Sequence, residues 1–127
     1  MVIIQSISKR KSSGGRYKAK LVKKRQHLIG RQPAMTKIAG KRLQKIRGRS
    51  AIVKNRLLST DKINLYDPKT KKYSLETIKN VIDVPSNKNF IRRKIVTKGA
   101  IVETAKGNAK ITSRPGQDGV VNGVLVQ

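Results

Sequence analysis

The apolar positions of this chain are patterned differently in its two halves. Across residues 9–49 they are scattered, with no sustained period of 2 or 3.6, and Gly14, Gly15, Gly30, Pro33, Gly40 and Gly48 interrupt them. Such a stretch buries little by itself. Lys37, Lys41 and Lys45 sit four apart and would form a cationic ridge on a helix, but Gly40 opposes one, so an extended or short-strand conformation is predicted. From about Ser50 the texture changes to short runs rich in Val, Ile, Leu and Thr, separated by turn residues. The predicted strands are residues 51–58, 62–66, 73–84 (long enough to bend), 90–97, 100–104, 109–113 and 120–126.

Turn chemistry separates these runs. Asp67-Pro68-Lys69-Thr70 fits a type I turn with Pro presetting its second position. Lys98-Gly99 lies between two β-branched runs as a tight hairpin, and Lys106-Gly107 repeats that pattern. Pro85-Ser86-Asn87 breaks the middle, and residues 114–119 (RPGQDG) read as a longer ordered loop. Asn122-Gly123 is a strong hairpin signal in general, but only Val124 to Gln127 follow it here, so it reads as an irregularity within a strand. The expected fold is mainly β: a small closed or partly open β-barrel of six or seven short antiparallel strands, closure removing unpaired edges, with a sandwich as the alternative. Residues 1–49 form an extended basic arm and residues 50–127 the body.

Charge gives this division a function. The 127 residues carry 31 Lys and Arg against 6 Asp and Glu, a formal net charge of +25. Residues 1–54 hold 17 of the basic residues and no carboxylate, a net +17; residues 55–127 hold the other 14 and all 6 acids, a net +8. So much like charge in one compact chain repels itself, and a polyanionic partner relieves that repulsion. Nucleic acid ranks first and an acidic membrane second. A membrane-active protein needs an amphipathic helix with a broad apolar face, which residues 1–54 do not supply. The arm is expected to be disordered in the free protein and to order as phosphates neutralise it.

Catalysis finds little support. Cysteine is absent, which removes disulfides, thiolate zinc sites and thiol chemistry. His27 is the single histidine and stands in a basic run with no acid near it in sequence. The carboxylates Asp61, Asp67, Glu76, Asp83, Glu103 and Asp118 are scattered, so a general acid and base pair is not indicated. Ser12-Ser13-Gly14-Gly15-Arg16 lacks the Walker spacing. No enzyme, cofactor, metal, small-molecule substrate or homo-oligomer is expected. Four apolar residues at Met1–Ile4 fall short of a secretory signal core, which places the protein in the cytoplasm.

The candidate RNA-binding residues are therefore basic side chains and one glycine pair. In the arm they are Lys9, Arg10, Lys11, Gly14, Gly15, Arg16, Lys18, Lys20, Lys23, Lys24, Arg25, Arg31, Lys37, Lys41, Arg42, Lys45, Arg47 and Arg49. The glycines let the backbone approach phosphates closely, and arginine binds them bidentately. In the body, strand alternation across 91–95 sends Arg92 and Lys94 outward and Arg93 to the face of Ile91 and Ile95; Lys98 and Arg114 extend the outward surface from turns. Aromatic residues number one Phe and three Tyr, too few for a convincing base-stacking platform, so phosphate and shape recognition should dominate.

Four stretches carry a family resemblance: RKSSGGR at 10–16, GRQPA at 30–34, NKNFIRRKIVTKGAIVET at 87–104 and GNAKITSRPGQDGVVNGVLV at 107–126. They resemble the small-subunit ribosomal protein eight family of archaea and eukaryotes, the S-eight-e type, with a short length that looks archaeal. The resemblance implies a small β-barrel with a basic N-terminal arm on small-subunit ribosomal RNA, among neighbouring small-subunit proteins. Departures occur at Leu28, Gln32 and Met35, where the family pattern leads one to expect acids, at Ser50-Ala51 in place of a glycine-rich step, and at Gly123 in place of a larger small residue.

Overall fold

The computed structural model describes residues 3–4, 10–17 and 26–126. Contacts divide the chain into two units, Met1–Pro33 and Ala34–Gln127. In the first, strand β1 (Ile3–Ile4) pairs antiparallel with β2 (Ile29–Gly30), and Arg10 bridges Arg16 across a tight loop. In the second, β3 (Arg42–Arg47) and β4 (Val53–Ser59) make a two-stranded antiparallel ribbon. Five further strands, β5 (Lys62–Asp67), β6 (Lys72–Asp83), β7 (Ile101–Thr104), β8 (Gly107–Ile111) and β9 (Asn122–Leu125), close a barrel in sequence order.

Alternation explains how these strands build the interior. Ile63 and Leu65 of β5, Val102 and Thr104 of β7, and Ala109 and Ile111 of β8 all point inward and are buried. In β6 the buried residues Ile78 and Val81 are three apart because the register shifts between Ile78 and Asn80. That irregularity lies in the middle of the long strand for which a bend was expected. The Thr104 hydroxyl, buried among apolar groups, donates to the Gly107 carbonyl at 2.7 Å across the turn, so this hydroxyl is not stranded. Leu57, Val84, Val96, Ala100 and Val121 complete the core, with Ile38, Phe90, Ile91 and Leu125 against it.

The barrel differs from the expectation in two ways. It has five strands rather than six or seven, and its closing pair, β5 with β9, is parallel. A chain that enters the barrel on β5 and leaves on β9 after four antiparallel steps ends running in its starting direction, so odd strand number forces one parallel seam. The run at 120–126 does not turn at Asn122-Gly123; both lie within β9. Lys106 does sit in the β7–β8 hairpin, where Thr104 faces Gly107, and its ammonium meets the Glu76 carboxylate at 2.9 Å.

Residues 90–97, expected as a strand, form instead a helical turn, α1 (Asn89–Arg92), followed by a reversal. The Asn87 side chain accepts from the Asn89 amide at 2.9 Å and starts the turn. At its end Lys94 takes a left-handed φ of 50°, its amide donates to Ile91, and the Ile95 amide reaches back to Phe90 at 2.9 Å. This is a Schellman closure with lysine where glycine is usual. Lys98-Gly99 consequently joins no hairpin between strands; it is a turn that leads into β7. Residues 114–119 likewise contain a helical turn, α2 (Pro115–Asp118), with Pro at its first position and Gly119 at φ 75° ending it.

A turn forms after Asp67, where one was predicted. The Asp67 carboxylate accepts from the Thr70 hydroxyl at 2.8 Å and the Lys69 amide at 3.0 Å. These bonds, the Thr70 hydroxyl foremost, hold the carboxyl below its ordinary value. Because the folded state favours the charged form, the contribution is full above the unfolded-state pKa and is lost as pH falls through the folded-state one. The Asp67 carboxyl shift followed against pH should show this depressed titration, and Thr70→Val should raise it.

Candidate nucleic-acid interface

The hairpin at residues 10–16 is built from its glycine pair. The Lys11 amide donates to Gly15 and the Gly14 amide to Lys11, at 2.7 and 3.0 Å, leaving Ser12, Ser13 and Gly14 as a three-residue loop. Gly14 occupies the left-handed position such loops require, at φ 84°. Among the described residues nothing approaches within 4 Å of where a Cβ would stand at Gly14 or Gly15. Arg10, Lys11 and Arg16 are exposed around this loop, and the Lys11 ammonium lies 5.7 Å from the centre of the Tyr17 ring. Arg31 is also exposed. Lys9, Lys18, Lys20, Lys23, Lys24 and Arg25 lie outside the described residues.

In the second unit the ribbon carries the basic residues Arg42, Lys45, Arg47, Arg49, Lys54 and Arg56. Opposed residues share a face, so Lys45 stands beside Asn55, Arg47 beside Val53, Ile46 beside Lys54 and Gln44 beside Arg56. Its tip closes through the Gly48 amide to Ile52 at 2.6 Å and the Ile52 amide to Arg49 at 3.2 Å. There Ile52 and Val53, each 58% exposed, stand among Arg47, Arg49 and Lys54. Arg42, Lys45, Arg47 and Arg49 are exposed as expected, while Lys54 and Arg56 were missed by sequence reasoning. Their positions opposite β3 were the available signal, since a strand that faces a basic strand presents its own cations to the same ligand.

The ribbon rests on α2. A Cβ on Gly119 would lie 2.9 Å from the Asn55 Cβ and 3.2 Å from Leu43 Cδ1, and one on Gly116 would lie 3.1 Å from the Ala34 Cβ. The two glycines of RPGQDG therefore let the ribbon and the 34–38 segment sit directly on this turn. The Asp118 carboxylate accepts from the Arg114 amide at 2.7 Å, which engages that acid within the motif and leaves Arg114 exposed at its start.

The 34–38 segment connects this platform to α1. Backbone bonds run from the Lys37 amide to Leu58, from Thr60 to Lys37 and from Val96 to Thr36, at 3.1, 3.1 and 2.8 Å. The Thr36 hydroxyl donates to the Leu57 carbonyl at 2.7 Å. Lys37 is exposed here, beside Ile95, and the Arg93 guanidinium reaches Met35 Sδ at 3.5 Å. Arg92, Arg93 and Lys94 are all exposed because they follow a helical turn. The expected alternation, with Arg93 turned to the opposite face, does not apply. Contacts thus run unbroken from Arg93 through Met35, Ala34, Gly116 and Gly119 to the ribbon. Lys41 is exposed next to the ribbon's start, whereas Lys98 belongs to the separate turn whose Gly99 amide bonds Ile111 of β8.

The chemistry of this arrangement suits anions. Its cations are exposed and spaced along backbone held by hydrogen bonds, so they need little reordering to meet a phosphate lattice. Among the described residues, no group of three or more His, Asp or Glu is placed to hold a metal ion.

Comparison with known proteins agrees with the pattern of the four sequence stretches. The chain is 51% identical to small ribosomal subunit protein eS8 of Methanobrevibacter smithii over 99% of its length and 100% of that protein's. It is 49% identical to the eS8 protein of Nanoarchaeum equitans over 89% of each, and 46% identical to that of Haloquadratum walsbyi over 97% of this chain and 96% of the other. All three are archaeal proteins, and the family model described as ribosomal protein S8e matches residues 4–126. By its matched length and these identities, the chain belongs to the ribosomal protein S8e family.

Proposed function

We propose that this protein is a structural constituent of the small ribosomal subunit in the cytoplasm, where it binds and stabilises small-subunit ribosomal RNA and so supports subunit assembly and translation. The observation that carries the reading is the pair of exposed cation groups on α1 and on the ribbon, two elements joined by contacts through Met35, Ala34, Gly116 and Gly119, on a chain with no carboxylate before Asp61. Within it Arg42, Lys45, Arg47, Arg49, Lys54, Arg92 and Lys94 neutralise phosphates, the arginines as bidentate forks and the lysines as point charges. The hairpin at Arg10, Lys11 and Arg16 adds a second contact through its open glycines. Residues 1–49, so poor in acids, supply most of the attachment, and the barrel fixes where it is anchored.

Two measurements test this. In small subunits washed at high salt the protein should remain stoichiometric, and its absence would favour a free-standing nucleic-acid-binding protein. Six to ten phosphate contacts should cost roughly three to five decades of RNA affinity between 50 and 200 mM salt. Replacing Arg42, Lys45, Arg47 and Lys54 together by Gln should flatten the slope of log K against log salt by about 3. An unchanged slope would remove the ribbon from the interface.

A further inference from the structure

The outer face of the barrel, at the seam of β5 with β6 and β9, holds a groove that phosphate binding does not use. Its volume is about 630 Å³, within the range of small-ligand sites. Tyr66 and Tyr73, opposite each other across β5 and β6, meet with ring centres 4.9 Å apart and planes tilted by 40°. Tyr66 is half-buried and backs Tyr73, which is 78% exposed and offers a free ring face. Leu75, 61% exposed, and Val124 continue the apolar floor. Large exposed aromatic and aliphatic groups side by side cost solvation free energy and mark a contact site.

The polar groups of the groove define the occupant. Asn64 Nδ2 donates to Asn122 Oδ1 at 2.9 Å across the parallel seam. The Asn64 amide oxygen and the Asn122 amide nitrogen take no part in that bond, and both residues are exposed. An acceptor and a donor are the groups that meet a nucleobase edge, such as the amino group and ring nitrogen of adenine. No carboxylate lines the groove. The adjoining turn carries exposed Lys69, Lys71 and Lys72, while Asp67 there is engaged by Thr70 and Lys69. A stacking ring, a donor and acceptor pair and flanking ammonium groups match an unstacked nucleotide.

We propose that this groove binds an unpaired, base-bearing segment of RNA, with a base stacked on Tyr73 and its edge read by Asn64 and Asn122. The proposal rests on the RNA-binding reading above and adds base contact, which the small number of aromatic residues argued against. The two tyrosines suffice because the β5–β6 register places them together.

The test uses the intact chain with a short single-stranded oligoadenylate and an abasic oligomer of the same length, each titrated across salt concentrations. Tyr73→Ala should weaken oligoadenylate binding by roughly 10- to 100-fold at every salt concentration. The salt slope should stay constant, since no phosphate contact is lost. Tyr73→Phe should bind as the unaltered protein does, and the abasic oligomer should not distinguish the three. The site is overturned if Tyr73→Ala binds oligoadenylate normally, or loses the abasic oligomer equally. It is also overturned if RNA affinity persists while reconstituted particles lose a neighbouring protein, which assigns the face to a protein contact. Failure of the unaltered chain to bind any RNA would instead sink the broader reading together with this one.

Discussion

Gly119→Ala should destabilise the protein by about 2 to 5 kcal/mol and loosen the ribbon's seat on α2. Two costs act at this one residue. Its φ of 75° lies in the left-handed region, where a Cβ costs about 1–2 kcal/mol. The new methyl would also meet the Asn55 Cβ at 2.9 Å and Leu43 Cδ1 at 3.2 Å. The Leu43 methyl can turn aside, but the Asn55 Cβ is fixed to a strand, so the ribbon itself must shift, and overpacking of that kind costs about 1–3 kcal/mol. Denaturant unfolding checks the stability. RNA affinity of the folded variant checks the seat, because cations on a displaced ribbon no longer match the phosphate positions. Asn55→Gly on the same background should recover the steric part and leave the backbone part. A Gly119→Ala variant as stable as the unaltered protein would show that the turn can move away from the ribbon.

Gly123→Ala should cost about 1–3 kcal/mol for a different reason. Its backbone is unstrained, but a Cβ would lie 2.8 Å from Ile63 Cδ1 and 3.2 Å from the Lys110 carbonyl oxygen. Ile63 is fully buried between β6 and β9, so its terminal methyl has no empty rotamer space. Ile63→Val removes that methyl and alone costs about 0.5–1.5 kcal/mol. Together the two changes should cost less than their sum by about 0.5 kcal/mol or more, the sign of a shared packing site. Strict additivity in a double-mutant cycle would show that the Lys110 carbonyl, rather than Ile63, sets the limit. The glycine noted as a departure at 123 is thus matched by a large residue at 63, one volume distributed across a strand pair.

The success of the sequence reading varied with how local the cause was. The Asp67 turn and the Lys106 hairpin were legible because their geometry is set within four residues. A single long strand was anticipated at 73–84, and β6 forms there with register shifts in its pairing to β7. Residues 90–97 were misread because Ile91 and Ile95 fit both a strand of period 2 and a helical step of four. The deciding feature was a left-handed Lys94, which no lysine advertises. The exposure of Arg93 was misread through the assumed alternation, and, separately, the cations of β4 were not paired with those of β3 because strand partners are not written in the pattern. The extended or short-strand conformation expected around Lys41 and Lys45 is found in β3, but its partner strand was not legible. Strand β3 is held by pairing with β4 and by Leu43 against Gly119.

The sequence by itself determined the sign of the partner, the acid-free stretch before Asp61, the β character of the second half and the family. Each follows from composition, short-range turn chemistry or long ordered strings, all readable in one dimension. Tertiary structure alone decided the parallel closure of the barrel, the seating of the ribbon on RPGQDG and the meeting of Tyr66, Tyr73, Asn64 and Asn122. Side-chain periodicity records which face of a strand is buried, whereas the neighbour across the seam is chosen by how the whole chain closes on its core. Asn64 and Asn122 are 58 residues apart, and only that closure places their amides within one hydrogen bond.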